Sequence, residues 1–446
     1  MMNLNWRKPV IYSLLYLSGS RIPSCLKEIT YLNQSSIKEL KKYQEQKLQE
    51  LLLHSCRYVP YYNEVLYKSG VVSNGKLNLN NWHNIPILTK DIIRTHSDNL
   101  VATDSPKNQR KPYCNSSGGS TGEPVSFWQD KIYNDWNVSN KIFYKLNGGQ
   151  DIGEKELRIW GSERDLLVGE EKLSVRLRNW LYNRKEINAF KMSYNGMKKY
   201  LEIWKNFQPT WIEAYVQSIY ELAKFSLENN YKLPSPKGIL VTAGCLHKKQ
   251  YDLILEAFKT PIYNRYGSRE VGDMACGLVS DMNKQNLDLS PWNHYIEIVD
   301  NNGFPVSDNK EGYVVVTTLN NKTMPLIRYK IGDIARYSKQ ENKYQFSKVI
   351  GRDVNIFKTK TGDLIDGEFF THEFYLKNWV KKFQIVQKNY ELIHINVVGE
   401  KNKKDMELIE TDIKKVMGND CVIKWNFVTE IESLKNGKYL YTISKV

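Results

Sequence analysis

The chain has 446 residues, 41% hydrophobic and 25% charged, with 64 Lys and Arg against 49 Asp and Glu and a formal net charge of +15. That length exceeds one compact core and implies two or more domains, while the ordinary apolar content excludes a disordered or fibrous chain. The basic balance admits nucleic acid, an anionic membrane surface or small anionic substrates as partners, but the positive residues are spread along the chain and form no tail or stripe. Cys25, Cys56, Cys114, Cys245, Cys276 and Cys421 are widely spaced with no C-x-x-C pair, so a reducing, cytoplasmic compartment is expected rather than a disulfide framework.

No apolar run approaches the roughly eighteen residues of a membrane span. The nearest, Val10 to Leu17, lies between Arg7-Lys8 and Arg21 and reads as an N-terminal helix suited to peripheral contact with the inner face of a membrane. Ser18-Gly19-Ser20 after it is a poor signal-peptide cleavage site. From Ser35 to Tyr67 apolar residues recur at helical spacing, with a break at Val59-Pro60-Tyr61-Tyr62. Ile85 to Asp91 reads as a loop entering a helix through a Thr89 cap. Helices follow at Lys131–Leu146, Tyr194–Phe207, Val216–Glu228 and Lys248–Phe258, and strands at Leu157–Trp160, Thr210–Ala214, Gly238–Thr242 and Pro261–Tyr266. That alternation predicts an α/β fold with a mainly parallel, helix-covered sheet.

Past Asn293 the pattern changes to an antiparallel β region, with strands at Tyr295–Val299, Gly312–Thr318, Asp333–Tyr337 and Tyr344–Ile350. From Gly351 a compact α+β segment begins, with strands near 383–387, 394–398 and 422–428 and a helix at Lys404–Met417. The expected division is a large N-terminal domain over 1–350 and a small, mobile C-terminal domain over 351–446.

Five stretches do not read as packing solutions. Seven of the nine residues from Ser116 to Pro124 (Ser-Ser-Gly-Gly-Ser-Thr-Gly-Glu-Pro) are Ser, Thr or Gly. Such a segment can wrap amides and hydroxyls around an anion, although alone it reads better as a flexible linker. Tyr266-Gly267-Ser268-Arg269-Glu270 ends a predicted parallel strand, where open α/β sheets place ligands. Asp333 follows a Gly332 turn at the start of a strand, Gly351-Arg352 marks the domain boundary, and Asn436-Gly437-Lys438 puts a lysine on a tight turn.

In this order and spacing, the five resemble the motifs of the adenylate-forming superfamily: acyl-CoA synthetases, peptide-synthetase adenylation domains and luciferases. The likeness covers nearly the whole chain. Tyr58-Val59-Pro60-Tyr61-Tyr62, Pro86-Ile87-Leu88-Thr89-Lys90 and Pro325-Leu326-Ile327-Arg328-Tyr329 are similar to elements of its phenylacetate–CoA ligase branch and the CapK-like members within it. The resemblance implies ATP and Mg²⁺. Ser116, Ser117, Gly118, Gly119, Ser120, Thr121 and Gly122 would hold the ATP phosphates, with Thr121 also catalytic. Ala243 and Gly244 would line the adenine and acyl pockets, and Tyr266, Gly267 and Ser268 would lie against the nucleotide. Glu270 would act in catalysis and hold Mg²⁺, a hard cation suited to oxygen donors. Asp333 would accept from both ribose hydroxyls, Arg352 would contact the nucleotide, and Lys438 would reach from the small domain to the α-phosphate and the substrate carboxylate.

Four places depart from the family pattern or stay open. Val125 follows Pro124 where many superfamily members carry a lysine, so the loop would clamp by amides and hydroxyls alone. Asp353-Val354-Asn355 lacks the usual placing of an acidic pair at the hinge. Trp211 and Tyr215 read equally as acyl-pocket walls or as core. Cys245, His247, Cys276 and His294 lack zinc-ligand spacing and read better as scattered residues.

The implied reaction is activation of a carboxylic acid as an acyl-adenylate with release of pyrophosphate, then acyl transfer to an amine or a thiol, that of CoA included. The CapK-like likeness points to an amide on a capsule or O-antigen polysaccharide; an aryl or acyl–CoA ligase is the alternative, and homodimers occur in the branch. A basic nucleic-acid- or membrane-binding protein is the rival class. No zinc finger, helix-turn-helix or RNA-binding aromatic signature supports it, so nucleic acid is not expected as a partner.

Overall fold

The computed structural model describes residues 5–104, 111–117, 125–161, 173–189, 192, 194–280, 282, 286–340, 343–352, 356–374, 377, 379–431 and 441–446. The chain opens with four helices, α1 (Arg7–Leu17), α2 (Ile22–Gln34), α3 (Ile37–Tyr58) and α4 (Pro60–Lys68). Ser36 and Glu39 close the start of α3 reciprocally: Ser36 Oγ accepts from the Glu39 amide at 3.3 Å and Glu39 Oε2 from the Ser36 amide at 2.8 Å. The expected break narrows to Val59. Pro60, with no N–H to lose, starts α4 directly, so Tyr61 and Tyr62 are helical.

A short hairpin, β1 (Val72–Ser73) with β2 (Lys76–Leu77), precedes α5 (Lys90–Thr95). Thr89 Oγ1 caps α5 as expected, accepting from the Ile92 amide at 3.3 Å. A second hairpin, β3 (Tyr113–Ser116) with β4 (Ser126–Gln129), leads into α6 (Lys131–Asn147). Strands and helices then alternate: β5 (Glu156–Trp160), α7 (Leu173–Leu181), β6 (Arg184–Asn188), α8 (Tyr194–Phe207), β7 (Trp211–Tyr215), α9 (Val216–Glu228), β8 (Gly238–Thr242), α10 (Lys248–Phe258) and β9 (Ile262–Ser268). After them come β10 (Gly272–Leu278), β11 (Leu287–Leu289), β12 (His294–Val299), β13 (Glu311–Thr318), β14 (Tyr329–Gln340) and β15 (Lys343–Arg352).

These strands form one eleven-stranded sheet in the order β12-β13-β14-β15-β11-β10-β9-β8-β7-β5-β6. The β6-β5-β7-β8-β9 wing is parallel and the rest antiparallel. The parallel and antiparallel regions are thus one sheet, joined through β10 and β11. Both strands are illegible by propensity, because β10 (Gly-Asp-Met-Ala-Cys-Gly-Leu) is rich in residues that strands disfavour. β8 is buried along its whole length, as a parallel strand covered on both faces should be.

Beyond β15 lie β16 (Ile356–Lys358), β17 (Leu364–Asp366), α11 (Gly367–His372), β18 (Val380–Asn389), β19 (Leu392–Gly399), α12 (Lys403–Met417), β20 (Val422–Phe427) and β21 (Thr442–Ser444). Four of these strands make a separate sheet in the order β20-β19-β18-β21. Ile409, Ile413 and Met417 of α12 recur one turn apart and pack with Phe357, Ile385 and Ile395 into a core distinct from those of the large sheet. Asn402 caps α12 and Gly418, at φ +100°, ends it.

Candidate active site

The parallel strands end on one edge of the sheet, which carries Trp160, Tyr215, Thr242 and Asn264 at the last paired positions of β5, β7, β8 and β9. Carboxyl ends of parallel strands are where α/β sheets hold ligands. Ala243, just past β8, stands at φ +62°, a left-handed conformation that a residue with a Cβ adopts at a cost. Tyr215 Oη donates to the Gly161 carbonyl at 3.1 Å, and its ring lies 4.5 Å from that of Trp160. Trp211, at the other end of β7, is fully buried against Tyr263 and belongs to the core.

β9 runs past its parallel partner and folds back on β10, with Arg269, Glu270 and Val271 between the two. Gly267 is required by close approach: a Cβ there would meet the Gly272 carbonyl oxygen at 2.5 Å and Asp273 Cα at 2.8 Å. The turn is held from α6 and β4, since Tyr133 Oη donates to the Glu270 carbonyl at 3.2 Å and Gln129 Nε2 to the Arg269 carbonyl at 2.9 Å. Glu270 itself is buried, 6% exposed.

Asp333 does not begin a strand, as its sequence suggests; it lies inside β14. The register against β13 jumps between Tyr313–Ile334 and Val315–Lys330, a bulge at Gly332, which adopts φ +89°. A second irregularity on the other side lets Gly351 follow at φ +131°, and Asp333 then pairs in register with Arg352 of β15. The buried Asp333 carboxylate faces β9: Tyr266 Oη donates to its Oδ2 at 2.7 Å. Two residues expected to meet one nucleotide are therefore in direct contact. The Tyr266 ring is set edge-on by Phe346, 5.5 Å away.

Ser116 and Ser117 sit at the closed end of the β3–β4 hairpin. The Ser117 amide donates to the Val125 carbonyl and the Val125 amide to Ser117 Oγ, each at 2.9 Å. Val125 is 1% exposed and shares its buried face with Phe127 and Gln129. A lysine at this place would point into the core. Gly118, Gly119, Ser120, Thr121, Gly122, Asp353, Val354, Asn355 and Lys438 lie outside the described residues, as does the side chain of Arg352.

One residue of the site was named in the sequence only as the end of a branch-like segment and given no role there. Lys90 Nζ, on the first residue of α5, lies 3.9 Å from Glu270 Oε1, with only 15% of its side chain exposed. Its place is set by the segment before it, because the Leu88 amide donates to the Arg328 carbonyl and the Lys330 amide to the Leu88 carbonyl, both at 2.9 Å. The available signal is a conflict: a cation at a helix N-terminus opposes the helix dipole, so something other than helix stability holds it there.

The three branch-like segments form one cluster around this support. Tyr62 Oη accepts from the Ile327 amide at 3.0 Å. Arg328, 1% exposed, donates to the carbonyls of His83, Ile85 and Gly303 and pairs with Glu297 at 3.2 Å. Cys245 and His247 share the loop between β8 and α10, Cys276 lies in β10 and His294 in β12, and His294 Nε2 bonds the Val271 carbonyl at 2.6 Å. Burial pushes His294 down to about 4. Among the described residues, no three His, Cys, Asp or Glu side chains are grouped to hold a metal. The chemistry of Mg²⁺ with ATP does not need such a group, because the ion takes one or two carboxylates and completes its shell with phosphate oxygens and water. The buried Glu270 carboxylate fits that need.

The family model for the CapK C-terminal domain matches residues 357–445. Protein CapK of Staphylococcus aureus is 24% identical over 427 residues, covering 92% of this chain and 90% of that protein. The phenylacetate–coenzyme A ligase of Escherichia coli is 24% identical over 325 residues, 68% of this chain and 69% of the ligase. Among solved structures, 2-hydroxyisobutyryl-CoA ligase in the postadenylation state superposes with a TM-score of 0.67 at 14% identity, over 93% of this chain and 91% of that one. The mixed sheet and the small C-terminal unit share the fold of that adenylate-forming ligase. In sequence the chain is similar to the CapK-like branch of the adenylate-forming superfamily and, over a shorter stretch, to the phenylacetate–CoA ligases.

Proposed function

We propose that the chain is an AMP-forming ligase that activates a carboxylic acid as its acyl-adenylate and passes the acyl group to an amine or a thiol. The observation that carries this reading is the contact between Tyr266 and Asp333, supplied by opposite wings of the sheet, with Glu270 and Lys90 paired beside it. In the first step a carboxylate oxygen bonds to the α-phosphorus, the bond to the β-phosphate bridge breaks, and pyrophosphate leaves. In the second, sulfur or nitrogen of the acceptor bonds to the acyl carbon, the acyl–phosphate bond breaks, and AMP leaves. Both reactants of the first step are anions, so positioned cations and amides do most of the catalytic work.

Tyr266 offers an aromatic face for adenine, Asp333 two acceptor oxygens for the ribose hydroxyls, and Ser116 and Ser117 the base of the phosphate-holding hairpin. Glu270 would hold Mg²⁺, which supplies charge neutralisation on the phosphates when bound. Lys90 supplies the cation that position 125 cannot, and Lys438 acts from the small domain on the α-phosphate. Trp160 and Tyr215, beside Ala243 and Gly244, line the acyl side. The likeness to CapK favours an amide on a surface polysaccharide, joining an amine or amino acid to a sugar acid or amino sugar. The likeness to phenylacetate–CoA ligases supports CoA as the other acceptor.

ATP–pyrophosphate exchange across a panel of amino, aryl and uronic acids tests the first step. Mass spectrometry of products with CoA or with amines then separates the acceptors. Exchange with at least one acid is expected; no exchange with any, together with no ATP binding, overturns the reading. Lys438→Ala should slow exchange by roughly 3–4 kcal/mol of transition-state stabilisation. Lys90→Met should cost about 1.5–3 kcal/mol, the range for a hydrogen bond to a charged group. Exchange at the parental rate in either variant would remove that lysine from the mechanism.

A further inference from the structure

The N-terminal helix and a helix from mid-chain carry matching exposed stripes. On α1 and the residue before it, Trp6, Val10, Leu14 and Leu17 recur every three or four residues and are 45%, 39%, 48% and 79% exposed. On α7, Leu173, Leu177 and Trp180 share the same spacing and are 69%, 58% and 60% exposed. Such spacing puts each set on one face of its helix. Isolated apolar residues on a surface are ordinary; two helical stripes that meet are not.

They meet at Trp6 and Trp180, whose ring centroids are 5.9 Å apart. The Arg7 guanidinium lies over both rings, at 4.7 Å and 5.9 Å. The opposite side of α1 is anchored to the body. Asn5 Nδ2 donates to the Ile152 carbonyl at 2.7 Å, Lys8 pairs with Asp151 at 2.7 Å, and Ile11 is buried. The anchoring turns the apolar stripe outward.

We infer that this two-helix face is a docking surface for an anionic lipid bilayer. Charge selects that occupant. Apart from Lys8, which Asp151 neutralises on the body side, α1 and α7 carry Arg7, Arg176 and Arg178 and no acidic residue, and Arg21 stands exposed just past α1. Glu170 and Glu171 precede α7 in the sequence, outside the described residues. The chain as a whole carries +15. Tryptophan at the junction suits the boundary between headgroups and acyl chains, where a ring with one polar N–H is at home. Among the described residues no helix is long and apolar enough to cross a membrane, so the contact is one of helices lying in the interface.

Flotation of the full chain with vesicles of phosphatidylcholine alone, or mixed with phosphatidylglycerol, tests the inference. The chain should float with the mixed vesicles and far less with phosphatidylcholine. A Leu14→Glu/Leu177→Glu double variant should lose roughly tenfold or more in partitioning, with unchanged melting and unchanged ATP–pyrophosphate exchange. Arg176→Gln/Arg178→Gln should weaken binding to the mixed vesicles by about fivefold per charge and leave the weak binding to phosphatidylcholine alone. Three results overturn the inference. The parental chain stays at the bottom of the gradient with mixed vesicles; or the double variant floats as well as the parent; or sedimentation shows a dimer that the double variant splits, which would make the occupant a second copy.

Discussion

Along the parallel wing, β5 to β9 pair in unbroken register, whereas β9–β10, β13–β14 and β14–β15 in the antiparallel wing each carry a register shift. Both wings deliver residues to one site. In the parallel wing delivery follows from topology: all strands point the same way, so whatever stands at their ends is gathered on one edge. An antiparallel strand passes the site in mid-course, and a residue such as Asp333, still paired with β15, must be aimed by a local exception in its register against β13. Gly332 is that exception. The parallel wing places residues by its order, the antiparallel wing by its faults.

The regularity of the parallel wing rests on a buried charge network, and breaking that network should give the largest effect. Glu213 of β7 lies 2.8 Å from Arg265 of β9, 2.9 Å from Lys145 of α6 and 3.5 Å from Arg158 of β5. Glu156 adds pairs with Lys145 and with Arg184. Burial alone would push the Glu213 carboxyl up, but Lys145, Arg265 and Arg158 together hold it well below the usual carboxylate range. Glu213→Gln leaves those cations without their shared counter-charge and should cost about 3–5 kcal/mol in denaturant unfolding. The pH signature has a definite sign. A depressed folded value stabilises the protein above the unfolded pKa of about 4.3, and that stabilisation is lost as pH falls through the folded value. The variant should lack this acid-dependent loss. Equal stability of variant and parent at neutral pH would show that the network is incidental to the wing.

The antiparallel wing should break at its bulge. Gly332→Ala forces a Cβ into a φ of +89° and should cost about 1–3 kcal/mol. If the bulge aims Asp333, ATP affinity should fall together with stability. An alanine that unfolds the protein more easily yet binds ATP as before would separate strain from aiming and contradict the comparison.

The same contrast explains what the sequence makes legible. Strands β7, β8 and β9, the helices between them and the Tyr266–Glu270 motif are visible because the pattern is local and repeated. The junction β10–β11 is hidden by composition, and the interior position of Asp333 by a bulge that no periodicity reports. Lys90 and Glu270 are far apart in sequence, and their pairing depends on the hold of Leu88 on Arg328 and Lys330. Val125 shows a related limit: its departure from the family pattern is plain in the sequence, while its inward orientation is a property of β4 alone.

The smallest effect is expected where the wings touch. Tyr266→Phe removes the 2.7 Å hydrogen bond to Asp333 and should cost about 1 kcal/mol of stability, the usual net value of one such bond. The ring itself stays in place, held edge-on by Phe346. If adenine rests on the aromatic face, ATP affinity in the phenylalanine variant should change by about threefold or less. Tyr266→Ala should lose about tenfold, since stacking of a base on an aromatic ring contributes on the order of 1–3 kcal/mol. Isothermal titration with ATP distinguishes the cases. An equal loss in both variants would mean that the hydroxyl, by holding Asp333 in line, matters more than the face. The two wings would then act on the nucleotide as a single hydrogen-bonded unit rather than as two independently placed walls.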